Sequence, residues 1–399
     1  MRQVGRLQVN AAMGRHDRGQ VESDVEMALA WQCWKSTCPW SHPQRRSVCL
    51  YRVLGICRLR VAPDTLGSFA GVRHARIKIS PTEGEAIYHC ISRTVNGELL
   101  FDDAAKEVLR RQLWQVADYC GVKILTYTVM SNHVHVLLHV PKQEPVLDAE
   151  LLRRYRVLHT RPTVQQAAQL ARVEAELIAN GPAAVEWRRR QLALMGDLSQ
   201  FMKLLKQRFS IWFNKAHRRF GTLWAERFKS VLVSTEPVVR RTIAAYIDLN
   251  CVRAGLVSDP KDYRFCGYAD AVAGVPAARE GICAAVGENS WDECQAYYRT
   301  VLFGTGASPR EAAAAISQED LERVIKDGGR LSPVTVLRCR LRYFADGAVL
   351  GGRAFVERQL AIYRAKTGRR QRSAPHVLPD WMGFVDWAAL RGVRRTGFG

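Results

Sequence analysis

A regular alternation of apolar and polar positions begins abruptly near Arg76-Ile-Lys-Ile79 and is clean from about residue 85. Residues 85–95 are rich in β-formers on alternating faces and read as a strand. Asn96-Gly97 is a turn signal. Asp102 or Asp103 can cap a helix reaching Cys120, in which Val108, Leu109, Leu113, Val116 and Ala117 fall near helical spacing. Gly121 fits its C-terminal stop. Residues 123–130 and 132–140 read as a second and third strand, turning at Ser131-Asn132. Residues 144–195 are charged, rich in Ala, Leu and Arg, and helical in period, which suggests a helical insertion. Residues 197–216 form a basic amphipathic helix with Phe201, Leu204, Leu205, Ile211 and Trp212 as its apolar stripe. A fourth strand is expected at 227–234. Glu236-Pro237 then opens a helix running to about Ala254, with Gly255 as its stop.

The order β-α-β-β-(insertion)-α-β-α predicts an α+β fold with an antiparallel sheet, the split βαβ arrangement of ferredoxin-like folds. The pattern divides the chain into three parts. Residues 79–270 form the principal domain, with its insertion at about 144–195. Residues 271–399 give weaker signals and are expected to be a mostly helical extension. Its expected helices are 311–327 and 354–367, and short basic helices and turns there suggest a DNA-binding helix-turn-helix. Residues 1–78 show no sustained period. They are either a loosely ordered arm or sequence upstream of the true start, and the abrupt onset of pattern favours the second.

Composition narrows the partners. Of 399 residues 47% are hydrophobic, enough for a sizeable core, and the formal net charge of +21 favours polyanions. No apolar run of 18 or more residues occurs, so no membrane-spanning helix is expected. The first residues lack the apolar stretch of a secretory signal, which suggests a cytoplasmic, nucleoid-associated protein. The 11 cysteines include no Cys-x-x-Cys pair, which argues against a zinc ribbon and for reduced, partly buried thiols.

Two short motifs carry candidate chemistry. In a strand His133 and His135 point the same way, with Val134, Val136 and Leu138 on the opposite face. Two neutral imidazoles side by side make half of a metal site. The plain alternative is a pair of surface histidines on a solvated strand, which His139 would merely continue. On the last helix Tyr246 and Asn250 stand one turn apart on one face. If that helix packs on the sheet, Asn250 offers a carbonyl oxygen as third ligand and Tyr246 a phenol. The plain alternative is a core tyrosine with its hydroxyl bonded.

Met130-Ser-Asn-His-Val-His-Val-Leu-Leu138 and Tyr246-Ile-Asp-Leu-Asn-Cys-Val-Arg-Ala-Gly-Leu-Val257 together resemble the HUH motif and tyrosine helix of the single-tyrosine HUH transposases, the insertion sequence 200-like transposases. The closer resemblance is to their REP-associated tyrosine transposases. Leu223-Trp-Ala-Glu-Arg-Phe-Lys-Ser230 and Asp259-Pro-Lys-Asp-Tyr-Arg-Phe-Cys-Gly-Tyr268 resemble the segments flanking the tyrosine helix. Ala75-Arg-Ile-Lys-Ile and Tyr88-His-Cys-Ile-Ser-Arg93 resemble the start. The resemblance spans roughly 75–270. It departs from the family at Cys251, where proline is usual, at Phe209, where many members carry a tyrosine, and in the long insertion after His135.

The resemblance implies an enzyme that cleaves and rejoins single-stranded DNA at hairpins, without membrane association, and that acts as a monomer rather than a dimer. It implies Tyr246 as nucleophile and His133, His135 and Asn250 as ligands of Mg²⁺ or Mn²⁺. Attack by a tyrosine gives a 5′-phosphotyrosine and keeps the phosphoester's energy, so rejoining needs no ATP; no Gly-x-x-x-x-Gly-Lys-Ser/Thr loop is present. Among the basic residues near these motifs, Arg227 and Lys229 are the better phosphate contacts, with Lys206 and Arg253 beside them. Trp212 or Trp224 could stack on bases, although periodicity puts Trp212 in the core. Two other readings stay open: a non-catalytic nucleic-acid-binding module of ferredoxin-like fold, and a His-x-His metal hydrolase that activates water.

Overall fold

The computed structural model describes residues 76–160, 162–303, 337, 344–345, 347–367, 374–378 and 386–390. The chain separates into Met1–Gly71 and Val72–Gly399, and every described residue lies in the second unit. The expected helix at 311–327, the helix-turn-helix and the N-terminal arm lie outside the described residues.

At the centre of the sheet is β1 (Ala86–Arg93), antiparallel to β3 (His133–Val140) on one side and to β4 (Lys229–Val233) on the other. Outside β3 lies β2 (Lys123–Val129), also antiparallel. The order β2-β3-β1-β4 is the split βαβ arrangement that the sequence pattern predicts. The first helix, α1 (Asp103–Cys120), starts where the Asp102 side chain accepts from the Ala105 amide at 2.7 Å. It ends at Gly121, whose φ of 65° is the left-handed conformation that suits glycine.

Period-two geometry gives the sheet two faces. Tyr127 and Val136 oppose each other, and the Trp114 ring of α1 meets Tyr127 edge-on at 6.0 Å. That face is therefore the one under α1. The insertion helices α2 (Asp148–Leu158), α3 (Val164–Ala179) and α4 (Pro182–Leu192) occupy the expected span, and Arg153 of α2 ties the insertion to Asp118 of α1. Next in the chain, α5 (Leu198–Ala216) packs on α1, and its Phe209 and Phe213 form an aromatic cluster with Phe101 and Trp224. The buried stripe of α5 holds Phe209 and Phe213, whereas Ile211 is exposed and Trp212 half-buried. An aromatic run hides which of its members face inward.

The opposite face carries His133, His135, Thr126 and Thr128. Over it lies α6 (Pro237–Asp248), held by Thr128 Oγ1 donating to the Ile247 carbonyl at 2.7 Å and Thr126 Oγ1 donating to Asp248 at 2.6 Å. The expected single helix to Ala254 breaks at Leu249, and α7 (Asn250–Arg253) continues it as one further turn. Beyond come α8 (Gly267–Val272), α9 (Pro276–Val286) and α10 (Trp291–Phe303).

The helix expected at 354–367 is present as α11 below, and the described C-terminal residues also add strands that the pattern did not announce. β5 (Val349–Gly352) runs parallel to β4, α11 (Arg353–Thr367) follows, and β6 (His376–Val377) and β7 (Trp387–Leu390) complete a seven-stranded sheet of order β2-β3-β1-β4-β5-β7-β6. These strands are two to four residues long, too short to establish a period. Their physical role is clear from position: β5 covers the edge of β4, whose backbone groups need partners, and β7 in turn covers β5.

Candidate active site

The histidine face is built in rows across the sheet. Lys229, Ile91, His135 and Thr128 stand opposite one another on four consecutive strands. One row along, Arg93 opposes His133. In the row on the other side, His89 lies between Val231 and Leu137. The tyrosine helix α6 covers this face, so the histidines are not a solvated strand surface. His135 is 4% exposed and His89 is fully buried.

Hydrogen bonds assign the protons on these rings. His89 Nδ1 is 2.7 Å from the Phe344 carbonyl, which can only accept. His89 Nδ1 therefore carries the proton, and in the neutral ring Nε2 is the acceptor. His89 Nε2 is 2.8 Å from His135 Nδ1, so His135 Nδ1 donates and its Nε2 holds the lone pair. Neutrality has a physical cause. Burial, opposed by the Phe344 carbonyl and helped by the nearby Arg253, brings the His89 pKa down to about 4. Burial first, then His89, His133, Arg253 and Arg93, holds His135 well below the usual imidazole range.

His133 is oriented from outside the sheet. Asn132 Nδ2 donates to the Gly97 carbonyl at 2.9 Å, which fixes which end of the amide is oxygen. Asn132 Oδ1 then accepts from His133 Nδ1 at 2.6 Å. In the neutral ring the lone pair again falls on Nε2. The two rings lie 5.1 Å apart, centroid to centroid, at 74°. Both therefore have the tautomer and the outer hydrogen bond of metal-ligating histidines.

Tyr246 is 2% exposed. Its ring meets His89 edge-on at 6.2 Å and Phe344 at 5.0 Å, and the Arg253 guanidinium lies 4.1 Å over it. The helix thus brings Tyr246 to the histidine row, under a cover formed by Phe344. Asn250 is placed differently from expectation. Its Oδ1 accepts from Arg253 Nη2 at 2.7 Å, and its Nδ2 is buried without a hydrogen-bond partner. The donor set for a divalent ion is then two imidazole nitrogens that fit and an amide oxygen already engaged by a cation. Among the described residues no group of three or more His, Cys, Asp or Glu side chains is disposed around a common metal position. The residues fit an ion held by His133 and His135, with Asn250 able to join only if its oxygen leaves Arg253.

The basic residues expected at DNA separate into three placements. Arg227 is exposed, and Lys229 shares the His135 row at the rim, 3.8 Å from Glu226. Arg253 lies inside the site, donating to the carbonyls of Tyr246 at 2.6 Å and Leu337 at 2.8 Å. Lys206 belongs to the other layer of the fold, on α5, where it donates to the Glu226 carbonyl at 2.7 Å and sits over Trp224. Burial pushes its pKa down to about 8. Trp224 itself is buried against Phe101 and Phe209, which removes it as a base-stacking surface. Phe209 shares that cluster, in the layer opposite the one that holds Tyr246. Sequence reasoning missed His89 and Arg93 as site residues. Their shared parity on β1 was visible, but only the register with β3 shows which parity faces the histidines.

Residues 83–170 match the family described as transposase, IS200 like. A solved structure of a REP-associated tyrosine transposase bound to a REP hairpin is similar at 14% identity, covering 61% of this chain and 98% of that one, with a TM-score of 0.31. No curated protein matches the chain. The matched segment contains β1, α1, β2 and β3 with His89, His133 and His135, and it is this part of the chain that is similar to the IS200-like transposases.

Proposed function

We propose that this protein is a DNA transposase that cleaves and rejoins single-stranded DNA at hairpins through a covalent tyrosine intermediate, acting as a monomer. The observation that carries this reading is the seating of Tyr246 against the histidine row, 6.2 Å from His89, which is itself hydrogen-bonded to His135. The match of residues 83–170 to the IS200-like transposase family supports DNA cleavage in general, and the tyrosine and hairpin are the finer claims.

In the proposed reaction the Tyr246 oxygen attacks the scissile phosphorus. A P–O bond to the tyrosine forms, the bond to the 3′ oxygen breaks, the phenol proton leaves to solvent, and the 3′ oxygen takes up a proton. The product is a 5′-phosphotyrosine and a free 3′-hydroxyl, and the reverse attack rejoins the strand. A phenol is only about one part in a thousand ionised at neutral pH, so the site must assist it. A divalent ion, Mg²⁺ or Mn²⁺, would polarise the phosphate when bound to His133 and His135. Arg253 over the ring and Arg93 beside His133 add positive potential where phosphate charge accumulates. Lys229 and Arg227 line the rim, where a strand would enter. Attack requires the phenol to come out from under Phe344.

The test is incubation with single-stranded hairpin oligonucleotides from the flanks of the gene, in Mg²⁺ or Mn²⁺, followed by a denaturing gel. A protein–oligonucleotide adduct is expected, lost in Tyr246→Phe and in His133→Ala/His135→Ala. Strand cleavage that survives Tyr246→Phe would instead identify a metal hydrolase. Binding with no adduct under any condition would identify a non-catalytic nucleic-acid-binding module.

A further inference from the structure

His89 is assigned no role by the motifs that mark the site, yet it is fully buried and hydrogen-bonded to His135. It stands on β1 opposite Leu137, one row from the His135 row, so the two imidazoles meet on a diagonal across the strand pair. The rings stack at 5.1 Å with 26° between their planes. That contact joins Nε2 of one to Nδ1 of the other, not the ligand nitrogen of His135.

We infer that His89 is a positioning residue: by accepting the Nδ1 proton of His135, it holds that ring in the tautomer whose Nε2 can ligate a divalent ion. This rests on the metal reading above and deepens it. The direction of the chain follows from its far end. The Phe344 carbonyl accepts only, so His89 must present Nδ1–H to it and an unprotonated Nε2 to His135. Reversing the His89 tautomer would set Nδ1 lone pair against carbonyl lone pair. It would also force His135 to carry its proton on Nε2, the nitrogen that must be bare to bind metal. His133 receives the equivalent service from a different residue, Asn132. The two ligands are therefore oriented independently, one from the loop and one from the neighbouring strand.

A buried histidine with two good hydrogen bonds also serves stability alone, so the test must read the tautomer and the metal as well as the fold. In metal-free wild-type protein with ¹⁵N-labelled histidine, the ring nitrogens of His135 should show Nδ1 protonated and Nε2 bare. A protonated Nε2 would overturn the inference without any variant being made. Mn²⁺ binding, followed by electron paramagnetic resonance of the free ion, gives the second measurement. His89→Leu should weaken Mn²⁺ binding by about tenfold to a hundredfold, the usual cost of losing an outer-shell partner. His89→Gln offers one donor to Phe344 and one acceptor to His135 and should recover most of that loss. Wild-type affinity in a folded His89→Leu variant would overturn the positioning role while leaving the metal reading intact, provided that His135→Ala still abolishes binding. No Mn²⁺ binding by the wild type at millimolar concentration would overturn both. Failure of hairpin cleavage in a protein that binds Mn²⁺ and shows the expected tautomer would count against the transposition chemistry alone.

Discussion

Arg253 lies 4.1 Å over the ring of Tyr246 and, through the same guanidinium, donates to the Tyr246 carbonyl and to Asn250 Oδ1. One residue of α7 thereby clamps the ring and backbone of the proposed nucleophile and the expected third ligand. It also donates to the Leu337 carbonyl, which lies in the C-terminal part of the chain. Lysine has a single point of charge and cannot span these acceptors. Arg253→Lys is therefore expected to destabilise the fold by about 1–3 kcal/mol, the cost of leaving buried acceptors unpaired, as read by urea denaturation. Adduct formation should fall further than this loss of stability explains. Equal stability and equal adduct yield in the variant would show that the clamp is incidental.

Ion dependence follows from the donor set. Two imidazoles suit Mn²⁺ better than Mg²⁺, which prefers oxygen ligands and keeps its waters. Adduct formation should vanish with EDTA and return at a lower concentration of Mn²⁺ than of Mg²⁺. Activity that persists after chelation and dialysis would remove the metal from the mechanism.

The docking of α9 on β2 depends on close approach. A Cβ at Gly281 would lie 2.3 Å from the Ile124 carbonyl oxygen and 2.9 Å from that of Leu125. These are backbone atoms in the sheet and cannot swing aside. Gly281→Ala should cost about 1–3 kcal/mol, the usual range for overpacking, and is checked by thermal unfolding. An unchanged melting temperature would mean that α9 sits further from the sheet than described.

Two residues after Tyr246, Asp248 is fully buried and takes hydrogen bonds from Thr126 at 2.6 Å, Tyr298 at 2.6 Å and Cys266 at 3.2 Å. Burial pushes its pKa up to about 6 against those donors. Tyr298 belongs to α10, so this bond ties the region beyond 271 to the tyrosine helix. Tyr298→Phe removes one donor and keeps the ring, and it should cost about 1–3 kcal/mol in denaturant. Because Tyr298 does not touch the histidines, adduct formation per folded molecule should be retained.

Much of the fold was legible in the chain. The strands around residues 86–93, 123–129 and 133–140, the Asp102 cap, the Gly121 stop and the Pro237 helix start all carry local signals that operate within a few residues. The split βαβ order followed from their succession. Less legible were β5, β6 and β7, because two to four residues cannot display a period and their partners lie far away in sequence. Ile211, expected in the buried stripe of α5, is exposed and Phe213 is buried instead: inside an aromatic helix, burial is decided by which neighbour approaches.

The site divides along the same line. By itself the sequence determined that His133 and His135 share a face and that Tyr246 and Asn250 stand one turn apart, since both follow from backbone periodicity. Tertiary structure alone decided that His89 meets His135, that Asn250 turns its oxygen to Arg253, and that Lys206 lies in the layer away from the histidines. Each of these depends on strand register or on which face a helix covers. Those are set by pairing across tens to hundreds of residues, and no local pattern encodes them.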